Sequence, residues 1–105
     1  MDHDSIAELF AGFGPVRCRR MFGGTGVFAD GLMFALETGG ELYLKADERT
    51  RDAFKDEGCE PFTFSQRGRQ VATSYWRLPS RLLDEPDELA AWARAAFEVA
   101  RRAKK

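Results

Sequence analysis

Ile6, Leu9, Phe10 and Phe13 recur near the start of the chain at the spacing of one helical face. Ser5 followed by Glu8 fits a capping box at the head of that helix, and Gly14-Pro15 stops it. From Val16 to Lys45 the pattern becomes that of strands, branched and aromatic residues broken by Gly23-Gly24, Asp30-Gly31 and Gly39-Gly40. It predicts antiparallel strands over Val16 to Phe22, Gly26 to Ala29, Leu32 to Glu37 and Glu41 to Lys45. Asp47 is placed to cap a central helix running to Gly58, anchored by Ala53 and Phe54. Pro61 opens a second hairpin in which Phe62 and Phe64 alternate, Arg67-Gly68 turns, and Val71 to Leu78 returns.

Pro86 suits a first helical position, and Leu89, Trp92, Ala93, Ala96, Phe97 and Ala100 then form a wide apolar stripe. Asp84, Glu85, Asp87 and Glu88 gather at the start of this helix. Arg101, Arg102, Lys104 and Lys105 gather at its end, the polarity that the helix dipole favours. No repeat, linker or low-complexity segment divides the chain, so residues 1–105 are expected to form one domain.

Composition narrows the function. The chain has 105 residues, 44% hydrophobic, enough for one modest core. Sixteen basic against seventeen acidic residues leave a formal charge of -1, so nucleic acid or an acidic membrane would have to be held by a local patch. Cys18 and Cys59 stand apart, without C-x-x-C or metal-ligand spacing. Two buried, reduced thiols are the expected state, with a disulfide or redox sensor as the alternatives. The start of the chain lacks the order of a secretory signal, and no apolar run is long enough to span a bilayer. A cytoplasmic protein is expected.

Gly24-Thr25-Gly26-Val27-Phe28-Ala29 matches G-x-G-x-x-G/A in form only, because that fingerprint needs a helix after its glycines and a strand is predicted here. Gly23, Gly24, Asp30 and Gly31 are accordingly read as turn residues, with positive φ at Gly23 and Gly24. His3 is the only histidine and is expected in a loose N-terminal segment, a poor setting for a base or ligand. The acidic pairs Asp56-Glu57 and Asp84-Glu85 sit at predicted helix ends, where capping and solvation account for them. No catalytic residue, metal ligand or cofactor site is expected.

The basic clusters Arg17 to Arg20 and Arg67 to Arg69 are candidates for direct nucleic-acid contact. Alternation places Arg17, Arg19 and Met21 on one face of their strand and Cys18, Arg20 and Phe22 on the other, so these arginines cannot all share a patch. Tyr43, Tyr75 and Trp76 could stack on bases, although an aromatic on a half-buried strand more often belongs to the core.

The blocks "RRMFGGTGVFADGLMFAL", "ELYLKAD" and "SYWRLP", followed by a Trp-containing C-terminal helix, resemble the N-terminal domain of the TfoX/Sxy family over essentially the whole chain. The resemblance implies a two-layer α+β fold, with an antiparallel sheet of about five to six strands packed against N-terminal, central and C-terminal helices. It implies a non-enzymatic role in natural competence, through a protein partner of the cyclic-AMP receptor protein type. Two-domain members carry a further C-terminal domain of helix-hairpin-helix character, and this chain is expected to stand alone without it. Phe22 and Leu44 are expected in the core. Arg19, Arg20, Tyr43, Lys45, Tyr75 and Arg77 are the expected contact surface, with alanine at Arg20, Tyr43 or Lys45 weakening a partner complex. Nucleic acid is the less favoured partner, no membrane is expected, and a homodimer through a sheet edge is compatible with the pattern.

Overall fold

The computed structural model describes residues 1–21 and 23–104. Its elements follow the order α1 (His3–Leu9), β1 (Arg17–Met21), β2 (Gly24–Ala29), β3 (Leu32–Thr38), β4 (Glu41–Lys45), α2 (Arg51–Asp56), β5 (Pro61–Gln66), β6 (Arg69–Arg77), a 3-10 turn (Ser80–Asp84) and α3 (Pro86–Ala103). The six strands form one antiparallel sheet in the order β1-β2-β3-β4-β6-β5. The α+β fold expected from the sequence is the fold observed. Among the described residues no helix is long and apolar enough to cross a membrane.

Paired positive φ values shape the hairpins: Asp30 and Gly31 at 49° and 76°, Gly39 and Gly40 at 60° and 84°, Arg67 and Gly68 at 53° and 77°. Two consecutive left-handed residues match the right-handed twist of the strands they join, which is why such turns dominate tight hairpins. Gly23 turns as expected, with φ 77°. Gly24 does not: it is the first residue of β2, and a Cβ there would lie 2.5 Å from the Glu37 carbonyl oxygen. The close approach of β3, not a turn, requires glycine at that position.

The helices cover one face of the sheet. Ile6, Phe10, Val27, Phe34, Leu44, Leu82 and Leu89 are fully or almost fully buried there, and Phe34 meets Phe10, Phe13 and Phe97 at ring separations of 5.4, 4.9 and 6.4 Å. A bulge makes this packing work. Val27 pairs with Ala35 while the next residue, Phe28, pairs with Met33, so Phe34 is an extra residue on β3 and both Phe34 and Ala35 are buried. Phe22 and Lys105 lie outside the described residues, so the core position expected for Phe22 and the last basic residue of the tail are not placed.

Several local boundaries differ from expectation. The cap of α1 is Asp2, whose carboxylate accepts from the Ser5 amide at 2.7 Å; Ser5 is thus inside the helix, and His3 is its first residue, not part of a loose segment. Asp47 does not cap α2. Its carboxylate accepts from the Arg49 amide and from Arg102 of α3, both at 2.9 Å, and the helix begins only at Arg51. Ala53 is exposed, leaving Phe54 to anchor α2 against Trp92 and Trp76 at 4.9 and 6.2 Å. Cys18 is half-buried while Cys59 is buried, and both are free.

Arg81 ties α2 to α3, donating to Glu57 and Glu88, each at 2.7 Å. Hydrogen bonds from Arg81 hold both carboxyls below the usual carboxylate range. Groups whose acidity increases on folding stabilise the native state above their unfolded pKa, and that contribution is lost as pH falls through the folded one. Thermal melts should therefore be flat near neutrality and decline below about pH 4. Arg81→Ala should shrink the decline; an identical acid profile in both proteins would remove this network as its cause.

A candidate interaction trough on the helix-free face

Residues directly opposite one another in an antiparallel sheet project to the same side. The row Val27, Ala35, Leu44 and Trp76 faces the helices. The adjacent row, Arg19, Gly26, Leu36, Tyr43 and Arg77, faces the other way. There Met21, Met33, Leu36, Phe62, Phe64 and Tyr75 line a trough of about 480 Å³. Gly26 lies beneath it because a Cβ would meet Met21 Sδ at 2.6 Å, Phe28 Cε1 at 3.0 Å and Met33 Sδ at 3.2 Å. Flexible thioethers beside aromatic rings make an apolar surface that can repack around a partner.

Five of the six expected contact residues share this face. Arg19 stands over the Phe28 ring at 5.7 Å. Tyr43 packs edge-on against Phe62 at 5.2 Å, and burial, then the nearby Glu41 and Glu60 charges, push its hydroxyl pKa up. The Lys45 ammonium lies 4.9 Å from the Tyr75 ring centre and donates to Ser74 Oγ at 2.9 Å; burial lowers its pKa. Tyr75 donates its hydroxyl to the Met33 carbonyl at 3.2 Å, and burial raises its pKa. Arg77 is already held by Glu60, Nε to Oε1 at 2.8 Å and Nη2 to Oε2 at 3.3 Å.

Arg20 is the exception. It pairs with buried Thr25 and looks to the helix side, lining a cleft with Asp2, His3 and Glu37. The second basic cluster is also remote. Arg67 lies in the turn of the β5–β6 hairpin and Arg69 opens β6, at the far side of the sheet from β1, roughly 19–24 Å away at about 4.8 Å per strand.

Met21, Met33, Leu36, Phe62 and Phe64 were not among the expected contact residues. The signal for Met33 and Leu36 was the run Leu32-Met33-Phe34-Ala35-Leu36, apolar on both faces of one strand although the predicted helices can cover only one. The two thiols lie away from the trough, packed with the core on the helix side. Burial pushes the Cys18 and Cys59 thiols up, away from the thiolate form. Among the described residues no three His, Cys, Asp or Glu side chains converge as a metal site would require.

Residues 8–100 match the TfoX N-terminal domain family. The chain is 30% identical over 100 residues to DNA transformation protein TfoX1 of Aliivibrio fischeri, covering 91% of this chain and 48% of that protein. It is 27% identical over 97 residues to protein Sxy of Escherichia coli, covering 92% of this chain and 46% of that one. The chain thus spans about half the length of the curated relatives it matches. A family match over residues 8–100, on a sheet whose two sides are divided between core and trough, makes this chain a member of the TfoX N-terminal domain family.

Proposed function

We propose that this chain is a non-enzymatic interaction domain that acts in transcriptional regulation of competence, in the cytoplasm, by docking a protein partner of the cyclic-AMP receptor protein type. The observation that carries the reading is the apolar trough opposite the helices, formed by Met21, Met33, Leu36, Phe62, Phe64 and Tyr75, in a chain related to a DNA transformation protein. Apolar floors with aromatic and cationic side chains around them are the composition of protein-docking surfaces.

Purified cyclic-AMP receptor protein, loaded with cyclic AMP, is the partner to titrate. Tyr43→Ala should weaken the complex by roughly 30-fold, the scale of a tyrosine anchor. Arg20→Ala, on the other side of the sheet, should leave it unchanged. Equal loss from both variants, or loss from Arg20→Ala alone, would move the contact off this face.

Direct nucleic-acid binding is the second reading, supported by Arg17, Arg19, Arg20, Arg67 and Arg69, none of which forms an ion pair among the described residues. Clusters at opposite edges would act separately, so duplex binding in the same titrations should be weak and disappear near physiological salt. Tight binding that survives such salt, and is lost in Arg19→Glu, would reverse the order of the two readings.

A further inference from the structure

The two edges of the sheet are not equivalent. The β1 edge carries Arg17, Arg19 and Arg20, charges that discourage another strand from adding to it. The β5 edge, Pro61–Gln66, carries no charged side chain, and the sheet order leaves it unpaired on its outer side. Its centre is Phe64, an exposed large hydrophobic residue at 42%.

The backbone of β5 determines what can be added. The Phe62 carbonyl accepts from Thr73 Oγ1 at 2.8 Å, and the Glu60 carbonyl accepts from the Arg77 amide at 3.0 Å. Both therefore point toward β6. Because successive residues alternate, Thr63 and Ser65 direct their N–H and C=O groups outward. Pro61 also faces outward but has no N–H, which limits any added ladder to the Thr63 to Ser65 stretch.

We propose that a second copy of this chain adds to the β5 edge in antiparallel register, with Phe64 of the two copies facing each other across a two-fold axis. In that register Thr63 exchanges both backbone hydrogen bonds with Ser65 of the second copy, and Ser65 with its Thr63. The two Phe64 rings occupy a non-hydrogen-bonded pair, where opposite side chains come closest. Glu60 falls opposite Gly68 of the second copy, between Arg67 and Arg69, so opposite charges meet at both ends of the ladder. The same operation at β1 would set arginine against arginine. Since Phe62 and Phe64 line the trough, pairing joins the two troughs side by side on one continuous sheet.

Light scattering behind size exclusion, from about 1 μM to about 1 mM, reads the assembly directly. The mass should rise with concentration from that of the monomer toward twice that value. Ser65→Pro removes an outward N–H and no bond to β6, so it should remain monomeric at every concentration and melt like the wild type at the dilute end of the range, where both are monomers. Phe64→Cys tests the register: it should oxidise to a covalent dimer, because non-hydrogen-bonded partners place their Cα atoms about 4.5 Å apart. Phe62→Cys faces residue 66 of the second copy and should not. A monomer mass at the highest concentration, a dimer of Ser65→Pro, or equal crosslinking of the two cysteine variants would each overturn the proposal.

Discussion

Phe34→Ala should be the most damaging single truncation in this chain, costing about 4 kcal/mol. Its ring is fully buried and meets Phe10, Phe13 and Phe97, so it joins the turn that ends α1, and α3, to the sheet. Alanine would remove those contacts together. The bulge prevents β3 from collapsing into the space, because Ala35 beside it is already packed and paired with Val27. Against a total stability of about 5–15 kcal/mol, the loss should lower the Tm by roughly 20 °C. Urea unfolding monitored by circular dichroism measures it. A cost below about 1 kcal/mol would mean that the neighbouring rings close the gap.

Gly24→Ala should cost roughly 2–3 kcal/mol, as overpacking does when the neighbour cannot yield. The added methyl would meet the Glu37 carbonyl oxygen at 2.5 Å and Thr38 Cβ at 3.2 Å. That carbonyl belongs to the ladder between β2 and β3, so relief requires the strands to part. Gly26→Ala supplies the contrast. Its tightest contact, at 2.6 Å, is the Sδ of Met21, the mobile end of a flexible side chain. The reduced entropy of the unfolded chain then offsets much of the crowding, and the net change should be under about 1 kcal/mol. Unfolding midpoints at unchanged m-values would compare the two. A larger loss at Gly26 than at Gly24 would show that the trough, not the strand contact, is the rigid part.

The elements that were legible in the sequence are those fixed by local chemistry. Asp30-Gly31, Gly39-Gly40 and Arg67-Gly68 each place a glycine where the backbone is left-handed, and the strands between them follow. Pro86 likewise marks the start of α3. Where tertiary contacts compete, local reading fails. Asp47 has the chemistry of a helix cap, but the cation that claims it is Arg102, fifty-five positions away. Gly24 looks like half of a turn because the approach of the Glu37 carbonyl cannot be seen from its neighbours in sequence. For the candidate surface, alternation separated Arg19 from Arg20 correctly. The bulge at Phe34 was invisible, and it alone puts Met33 and Leu36, three positions apart, on one face.

The sheet order also carries a consequence for how the chain folds. Strands β1 to β4 follow one another as neighbours, and β5 with β6 is a hairpin of its own, so nearly all strand pairing is between adjacent segments. The exception is the seam between β4 and β6, three rungs from Tyr43↔Arg77 to Lys45↔Tyr75, which closes only after the intervening α2 loop is gathered in. Hairpins form on a microsecond scale, whereas joining distant strands must first overcome the entropy of the loop between them. Closure of this seam is therefore expected to be the late step, and it completes the trough, because Tyr75 and Phe64 arrive opposite Met33 and Leu36 only when it shuts.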